Sequence, residues 1–350
     1  MQSADKVPYD IPVPNNMGMV RYVLALGVLT AHFNELAGGD IWWPVSSYNA
    51  IGGFFALSGF LLAGSWLRRP RLGSYIKSRA LRILPAYWSA VLFFAVTLSL
   101  VSSAGDYFHN AQFWKYLAAN LSFLNFLQPD LPGVFDMLEV RAVNGSLWTM
   151  KVEWFLYLSL PLVSLLLVRY ARHPGMVLAA VYLLSVAYRL FFRYLYSSTG
   201  NGIYEILSRQ FLGQMMYFYS GVFIYYYFSL FMRFRRWLLL FSLVLAYVDY
   251  PFYWMQVLIE PLAVTSLVIW FSMVGKWGVA FGKHDNISYN IYLVHFPVVQ
   301  LCAMYMLTDR IGMTAAFVSV VVATVALSLL LNRCVERPVQ RFFHNARSAR

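Results

Sequence analysis

Long apolar runs broken by short polar or basic segments set the pattern of this chain. Ten runs read as membrane helices: residues 17–36, 50–67, 83–103, 147–168, 174–196, 206–229, 237–250, 252–273, 286–307 and 313–332. About 20 apolar residues in a helix cross the hydrocarbon layer, and a helix satisfies its own backbone groups there. The seventh run is short and suggests a broken or tilted helix. The pattern predicts an all-α fold, a polytopic membrane helix bundle of about ten transmembrane helices. It shows no internal repeat, which argues against an inverted-repeat transporter.

One stretch breaks the pattern. Residues 112–127 are rich in aromatics and mildly apolar. Counting them as a span would invert everything that follows and put Arg233, Arg235 and Arg236 outside. They read instead as an interfacial or re-entrant helix on the outer face, where aromatics concentrate. With 128–146 they form the largest extracytoplasmic element, at 104–146. The organisation expected is a cytoplasmic tail at 1–16, one transmembrane domain at 17–343 and a cytoplasmic tail at 344–350.

Composition agrees. The 350 residues are 60% hydrophobic and 12% charged, where soluble chains are about 45–50% apolar and 25% charged. The net charge of +12 would suit nucleic acid. Its placement does not, because Lys and Arg cluster at alternate ends of the runs. Twenty of the 27 fall on one side if the chain starts inside, Lys6, Lys283 and Arg350 among them. That asymmetry puts both termini in the cytoplasm. The polar, Pro-rich start lacks the layout of a cleaved signal peptide. Cys302 and Cys334 fall towards opposite faces in this topology, so no disulfide is expected.

The chemistry sits where apolar runs carry polar residues. Arg21 and His32 lie in the first run, eleven residues apart. On a helix that spacing puts them on one face, roughly 16 Å apart. Ionisable residues are costly in lipid and default to functional candidates. Glu35 follows about one turn after His32. The second run holds Gly52-Gly53-Phe54-Phe55-Ala56-Leu57-Ser58-Gly59-Phe60, whose small residues also suit close helix contact. Arg79 and Arg82, in the basic loop that opens with Arg68, would share a helix face. Arginine's fork suits phosphate, but basic loops also serve as ordinary anchors. The fourth run opens with Ser146, Trp148, Thr149, Lys151 and Glu153. Glu153 could orient an imidazole in the same leaflet or pair with Lys151. In the ninth run Tyr289, Tyr292 and His295 recur at three-residue spacing. Arg189, Arg193 and Glu260 read as a buried structural pairing. No metal is expected.

Taken together and in this order, these elements resemble the membrane-bound acyltransferase 3 family of bacterial O-acetyltransferases, over residues 16–343. Arg21 and His32 meet its opening pattern of a basic residue, ten residues and a histidine. Phe54-Phe55-Ala56-Leu57-Ser58-Gly59-Phe60 matches its Phe-Phe-x-x-Ser-Gly-Phe element, and Arg79, Arg82, Ile83 and Pro85 match its Arg-x-x-Arg element. Trp148, Thr149, Met150 and Glu153 fit a further element, although Phe155-Leu156-Tyr157 replaces an adjacent Phe-Tyr. Ser288 to Pro297 and Glu336-Arg337-Pro338 match the closing elements.

The resemblance implies transfer of an acyl group, usually acetyl, from cytoplasmic acyl-CoA to an extracytoplasmic hydroxyl, commonly on a sugar. It implies His32 as base or acyl relay, with Glu153 or Glu35 as the supporting carboxylate. Arg21, Arg79 and Arg82 would engage CoA, and Ser58, Trp148, Tyr292 and His295 would line the cavity or acceptor site. The donor would be acetyl-CoA or another acyl-CoA, with no metal. The partners would be the lipid bilayer, a saccharide acceptor and proteins of polysaccharide assembly, with no nucleic acid. The location implied is the bacterial inner membrane. Two other readings stay open: a transporter or flippase with Arg21, His32 and Glu153 on its path, and a non-catalytic component of a polysaccharide-assembly complex.

Overall fold

A computed structural model describes residues 15–170, 172–282 and 287–348, without the side chains of 344–348. Most of the 1–16 tail, with Lys6, lies outside the described residues, as do Lys283 and Arg350. No strand occurs among the described residues. The helices are α1 (Met17–Ala37), α2 (Ser47–Arg68), α3 (Leu72–Thr97), α4 (Ala111–Leu121), α5 (Trp148–Arg169), α6 (Pro174–Thr199) and α7 (Gly202–Ser208). They continue as α8 (Phe211–Tyr226), α9 (Phe228–Tyr247), α10 (Tyr253–Met273), α11 (Ser288–Met304), α12 (Leu307–Ile311), α13 (Met313–Leu331) and α14 (Arg337–Ser348). Among the described residues, six helical stretches are long and apolar enough to cross a membrane: Ser47–Arg68, Leu72–Val101, Gly145–Arg169, Pro174–Thr199, Tyr253–Met273 and Met313–Phe343.

Three expected boundaries move. The basic segment before residue 83 is not a loop beyond Arg71: α3 starts at Leu72, so Arg79 and Arg82 are helical. The expected run 206–229 divides, because the backbone at Gln210 is extended (ψ 177°) between α7 and α8. The expected run 237–250 becomes the 20-residue α9, which starts at Phe228 and carries Arg233, Arg235 and Arg236 within it. A hydropathy window reads three arginines as the end of a span. A helix ends only where its backbone does.

The chain forms two compact units. The first takes its described residues from Met1–Leu24, Tyr48–Tyr75 and Val152–His284. In it, α2 crosses α8 backbone to backbone, because a Cβ at Gly59 would collide with the Phe218 carbonyl and one at Gly221 with that of Ala56. Pro161 lacks an N–H, which frees the Tyr157 carbonyl inside α5. The Tyr75 hydroxyl donates to that carbonyl at 3.1 Å. Helices α6, α8, α9 and α10 surround an apolar cavity of about 600 Å³, lined in part by Tyr182, Tyr219, Phe223, Phe231 and Leu262. None of the sequence-derived candidate residues lines it.

The expected buried pairing of Arg189 or Arg193 with Glu260 is absent among the described residues. Arg193 and Arg209 pair with Glu205. The Arg189 guanidinium lies 4.6 Å over the Tyr48 ring and donates to the Tyr253 hydroxyl at 3.2 Å. Glu260 accepts from Asn49 at 2.7 Å. Stacking on tyrosine faces supplies some of the stabilisation that a carboxylate would have given.

The second unit takes its described residues from Ala25–Ser47, Ile76–Lys151 and Asp285–Arg350. The stretch 112–127 forms a helix here only over its first part, as α4. The Asn110 side chain caps α4 by accepting from Gln112 N at 2.9 Å. It buries Phe113, Tyr116 and Ala119 and leaves Trp114 exposed, which makes it amphipathic. Tyr87 and Trp88 of α3 donate to the carbonyls of Asn120 and Leu121 at its far end. Burial pushes the Tyr107 phenol up to about 12, so it stays protonated and donates to the Ala95 carbonyl at 2.7 Å. Both cysteines are free.

Candidate active site

The second unit builds a polar site from α1, α11 and the turn that enters α5. Pro297 sits inside α11. Its missing N–H leaves the Leu293 carbonyl without its helical partner, and the Asn144 side chain donates to that carbonyl at 2.7 Å. The same side chain accepts from Ser146 Oγ at 2.6 Å, which fixes the turn before Trp148. Tyr292 then reaches across: its hydroxyl lies 2.7 Å from Thr149 Oγ1 and donates to the Ser146 carbonyl at 3.1 Å. Gln300, one turn beyond Pro297, donates to the Val140 and Ala142 carbonyls at 2.6 and 2.9 Å. The proline-freed carbonyl and the side chains of Asn144, Thr149, Tyr292 and Gln300 thus clamp α11 to the start of α5 and the segment that leads into it.

His32 packs against this frame. Its Nδ1 lies 2.9 Å from His295 Nε2. Phe296 closes on the ring edge-on, with centroids 5.0 Å apart, and Gly145 leaves the room that the Phe296 ring needs. His295 is fully buried and His32 half-buried. Glu35 is exposed and makes no hydrogen bond to His32 among the described residues. The group held against His32 is a second imidazole.

The remaining second-unit candidates fall into two sets. Tyr292 spends its hydroxyl on the clamp. Trp148, half-buried, begins α5. Arg79 and Arg82 are half-buried on α3, three residues apart. Arg79 Nη2 donates to Ser78 Oγ at 2.9 Å, while its Nε is buried with no partner. Neither arginine has an ion pair among the described residues. Two half-buried guanidiniums on one helix face without a carboxylate suit an anion.

In the first unit, Glu153 accepts from the Tyr157 hydroxyl one turn along α5, and Ser58 Oγ lies 3.5 Å from the same carboxylate oxygen. Ser58 is also 3.3 Å from Tyr157 Oη. This joins the Ser-Gly of α2 to α5: the glycine admits a neighbouring backbone and the serine meets a carboxylate. Lys151 lies in the second unit with its Nζ 4.7 Å over the Phe126 ring. Arg21 is half-buried on α1, the helix that also carries His32.

Sequence reading gave no role of their own to Asn144, Phe296, Gln300, Tyr75 and Tyr157. Two of the five answer to prolines within helical runs, since Pro161 and Pro297 each announce a carbonyl that some other donor must satisfy.

Three curated relatives share part of the chain. An O-acetyl transferase of Shigella phage Sf6 is 27% identical over 151 residues, 41% of this chain and 44% of that protein. Nodulation protein 10 of Rhizobium leguminosarum bv. viciae is 26% identical over 181 residues, 47% of this chain and 48% of that protein. Protein 2 in the picA locus of Rhizobium radiobacter is 29% identical over 149 residues, 39% of this chain and 72% of that protein. The chain thus spans about half the length of the first two. No solved structure matches it. A family model described as an acyltransferase domain matches residues 15–333, almost the full length, and the chain belongs to that acyltransferase 3 family.

Proposed function

We propose that this protein is a membrane O-acyltransferase of the bacterial inner membrane. It moves an acyl group, usually acetyl, from cytoplasmic acyl-CoA to a hydroxyl on an extracytoplasmic glycan. The observation that carries the reading is His32, an imidazole within an apolar helix whose Nδ1 lies 2.9 Å from His295 Nε2. The family match and the relative named as an O-acetyl transferase support the same reaction class. The proposed topology has ten spans (α1, α2, α3, α5, α6, α8, α9, α10, α11 and α13) with both termini in the cytoplasm, supported by the Lys and Arg asymmetry.

Arg79 and Arg82 hold the CoA phosphates through charge-assisted bonds, for which the unpartnered Arg79 Nε is one free donor. At His32, Nε2 takes the acceptor hydroxyl proton. The hydroxyl oxygen forms its bond to the thioester carbonyl carbon and the carbon–sulfur bond breaks. The departing CoA thiolate takes the proton back from the imidazolium. The transient alternative is acylation of His32 itself, followed by transfer to the hydroxyl.

The test is transfer of radiolabelled acetyl from acetyl-CoA supplied on the cytoplasmic side of membrane vesicles, scored as label in the outer saccharide fraction. Wild type is expected to transfer label. The paired Arg79→Ala and Arg82→Ala change is expected to raise KM for acetyl-CoA about 10–100-fold, the loss of one or two charged hydrogen bonds, with little change in kcat. If wild type consumes no member of a panel of acyl-CoA donors, the enzyme reading fails and the transporter or assembly-component reading takes its place.

A further inference from the structure

The hydrogen bonds around His295 fix more than its position. His295 Nδ1 lies 2.8 Å from the Tyr292 carbonyl oxygen and 3.2 Å from that of Ile291. A carbonyl oxygen only accepts, so His295 Nδ1 carries a hydrogen. In a neutral imidazole the other nitrogen, Nε2, is then a lone-pair acceptor. Facing it at 2.9 Å is His32 Nδ1, which must donate. A neutral His32 is thereby held as its Nδ1–H tautomer, and its Nε2 keeps the lone pair. The ring also bonds to the Val28 carbonyl one turn earlier on α1, an acceptor that calls for an N–H but does not by itself say which nitrogen carries it.

We propose that His295 is a positioning residue that imposes the base-competent tautomer on His32, with the backbone of α11 as the ultimate acceptor. This rests on the reading of His32 as the base. The relay runs from His32 Nδ1–H to His295 Nε2, and from His295 Nδ1–H to the Tyr292 carbonyl. The ring planes differ by 28°, with centroids 5.1 Å apart, an edge-to-edge approach that suits an in-plane hydrogen bond. His295 has no exposed surface, so water does not compete for its Nε2. The clamp at Asn144, Tyr292 and Gln300 holds α11 in the register that this relay needs. A carboxylate is the commoner partner for a catalytic histidine; here the same orienting task falls to a neutral imidazole tied to backbone. When His32 becomes an imidazolium, its Nδ1–H remains donated to His295, so the charge forms against a lone pair already in place.

The experiment reads the resting, full-length protein in lipid nanodiscs by ¹⁵N-histidine NMR. His32 signals are assigned by their loss in His32→Gln and their shift in His295→Leu. The expected result is a protonated His32 Nδ1, an unprotonated His32 Nε2 and a coupling across the bond to His295 Nε2. A His32 protonated on Nε2 overturns the proposal. The second arm compares His295→Gln with His295→Leu, each verified as folded by its thermal unfolding curve. Gln can place its carbonyl oxygen where the ring Nε2 was. It is expected to keep acetyl transfer within about threefold, while Leu lowers kcat about 100-fold with KM nearly unchanged. Equal loss in both variants would mean that His295 only fills space, and would also overturn the proposal. The spectrum needs no turnover. A wild type with the expected tautomer and no acyl transfer would therefore sink the proposed function and leave this assignment intact.

Discussion

His32→Ala is expected to lower acyl transfer by about 10²–10⁴-fold, the range that a positioned general base contributes, with KM for acetyl-CoA changed little. The expectation follows from where the side chain's bonds go. Nδ1 is committed to His295, so only Nε2 can take a proton from an acceptor. Removing the ring also leaves His295 Nε2 buried without its donor, at a cost of about 1–3 kcal/mol. A lower unfolding temperature will therefore accompany the loss of activity, and transfer must be compared per folded molecule. Glu35→Gln supplies the contrast. Glu35 is exposed and not bonded to His32, so its replacement is expected to leave transfer within about threefold. Transfer that survives in His32→Ala would show the base to be elsewhere. A large loss in Glu35→Gln would show that the resting arrangement at His32 is not the working one.

What the sequence made legible, and what it hid, divides along a physical line. The ends of α1, α5, α6 and α10 fall within about three residues of the expected runs, because long apolar stretches and polar ends carry those boundaries locally. The start of α3 and the whole of α9 were misread for one shared reason. Arg79 and Arg82, like Arg233, Arg235 and Arg236, are helical residues that a hydropathy window counts as loop. At the site, His32 and Arg21 stood out because ionisable groups within an apolar run have no cheap explanation. The partner of His32 did not. His295 lies 263 residues away, while Glu35 and Glu153 were nearer in sequence or in expected depth and carried the charge usually paired with histidine. Local spacing ranks neighbours along one helix and says nothing about which helices meet. The prolines were the overlooked signal: Pro297 and Pro161 each free a carbonyl, and the donors found there, Asn144 and Tyr75, tie distant segments together.

Gly59 decides whether the Phe-Phe-x-x-Ser-Gly-Phe stretch serves packing or substrate, and Gly59→Ala is expected to destabilise the folded protein severely. A methyl group there meets the Phe218 carbonyl, and one at Gly221 meets that of Ala56. Both obstacles are backbone, so no rotamer change relieves them; α2 and α8 must separate. Overpacking of cores typically costs about 1–3 kcal/mol when side chains can adjust. A backbone collision at a helix crossing is expected at or above the top of that range, a large part of the roughly 5–15 kcal/mol that holds a domain together. Gly59→Val should then yield little folded protein in membranes. Gly73 is the control: it lies in α3 with nothing within 4 Å of an added Cβ. Gly73→Ala should be neutral or stabilise by up to about 1 kcal/mol, because alanine favours helix. The readouts are the yield of monodisperse protein in detergent and its thermal unfolding midpoint. If Gly59→Ala unfolds like wild type yet loses acyl transfer, the glycine keeps space open for substrate and the packing account is wrong. If it unfolds early while residual transfer per folded molecule stays normal, Gly59 acts through the α2–α8 crossing. The chemistry of this stretch then rests on Ser58, which the crossing sets beside Glu153 and Tyr157.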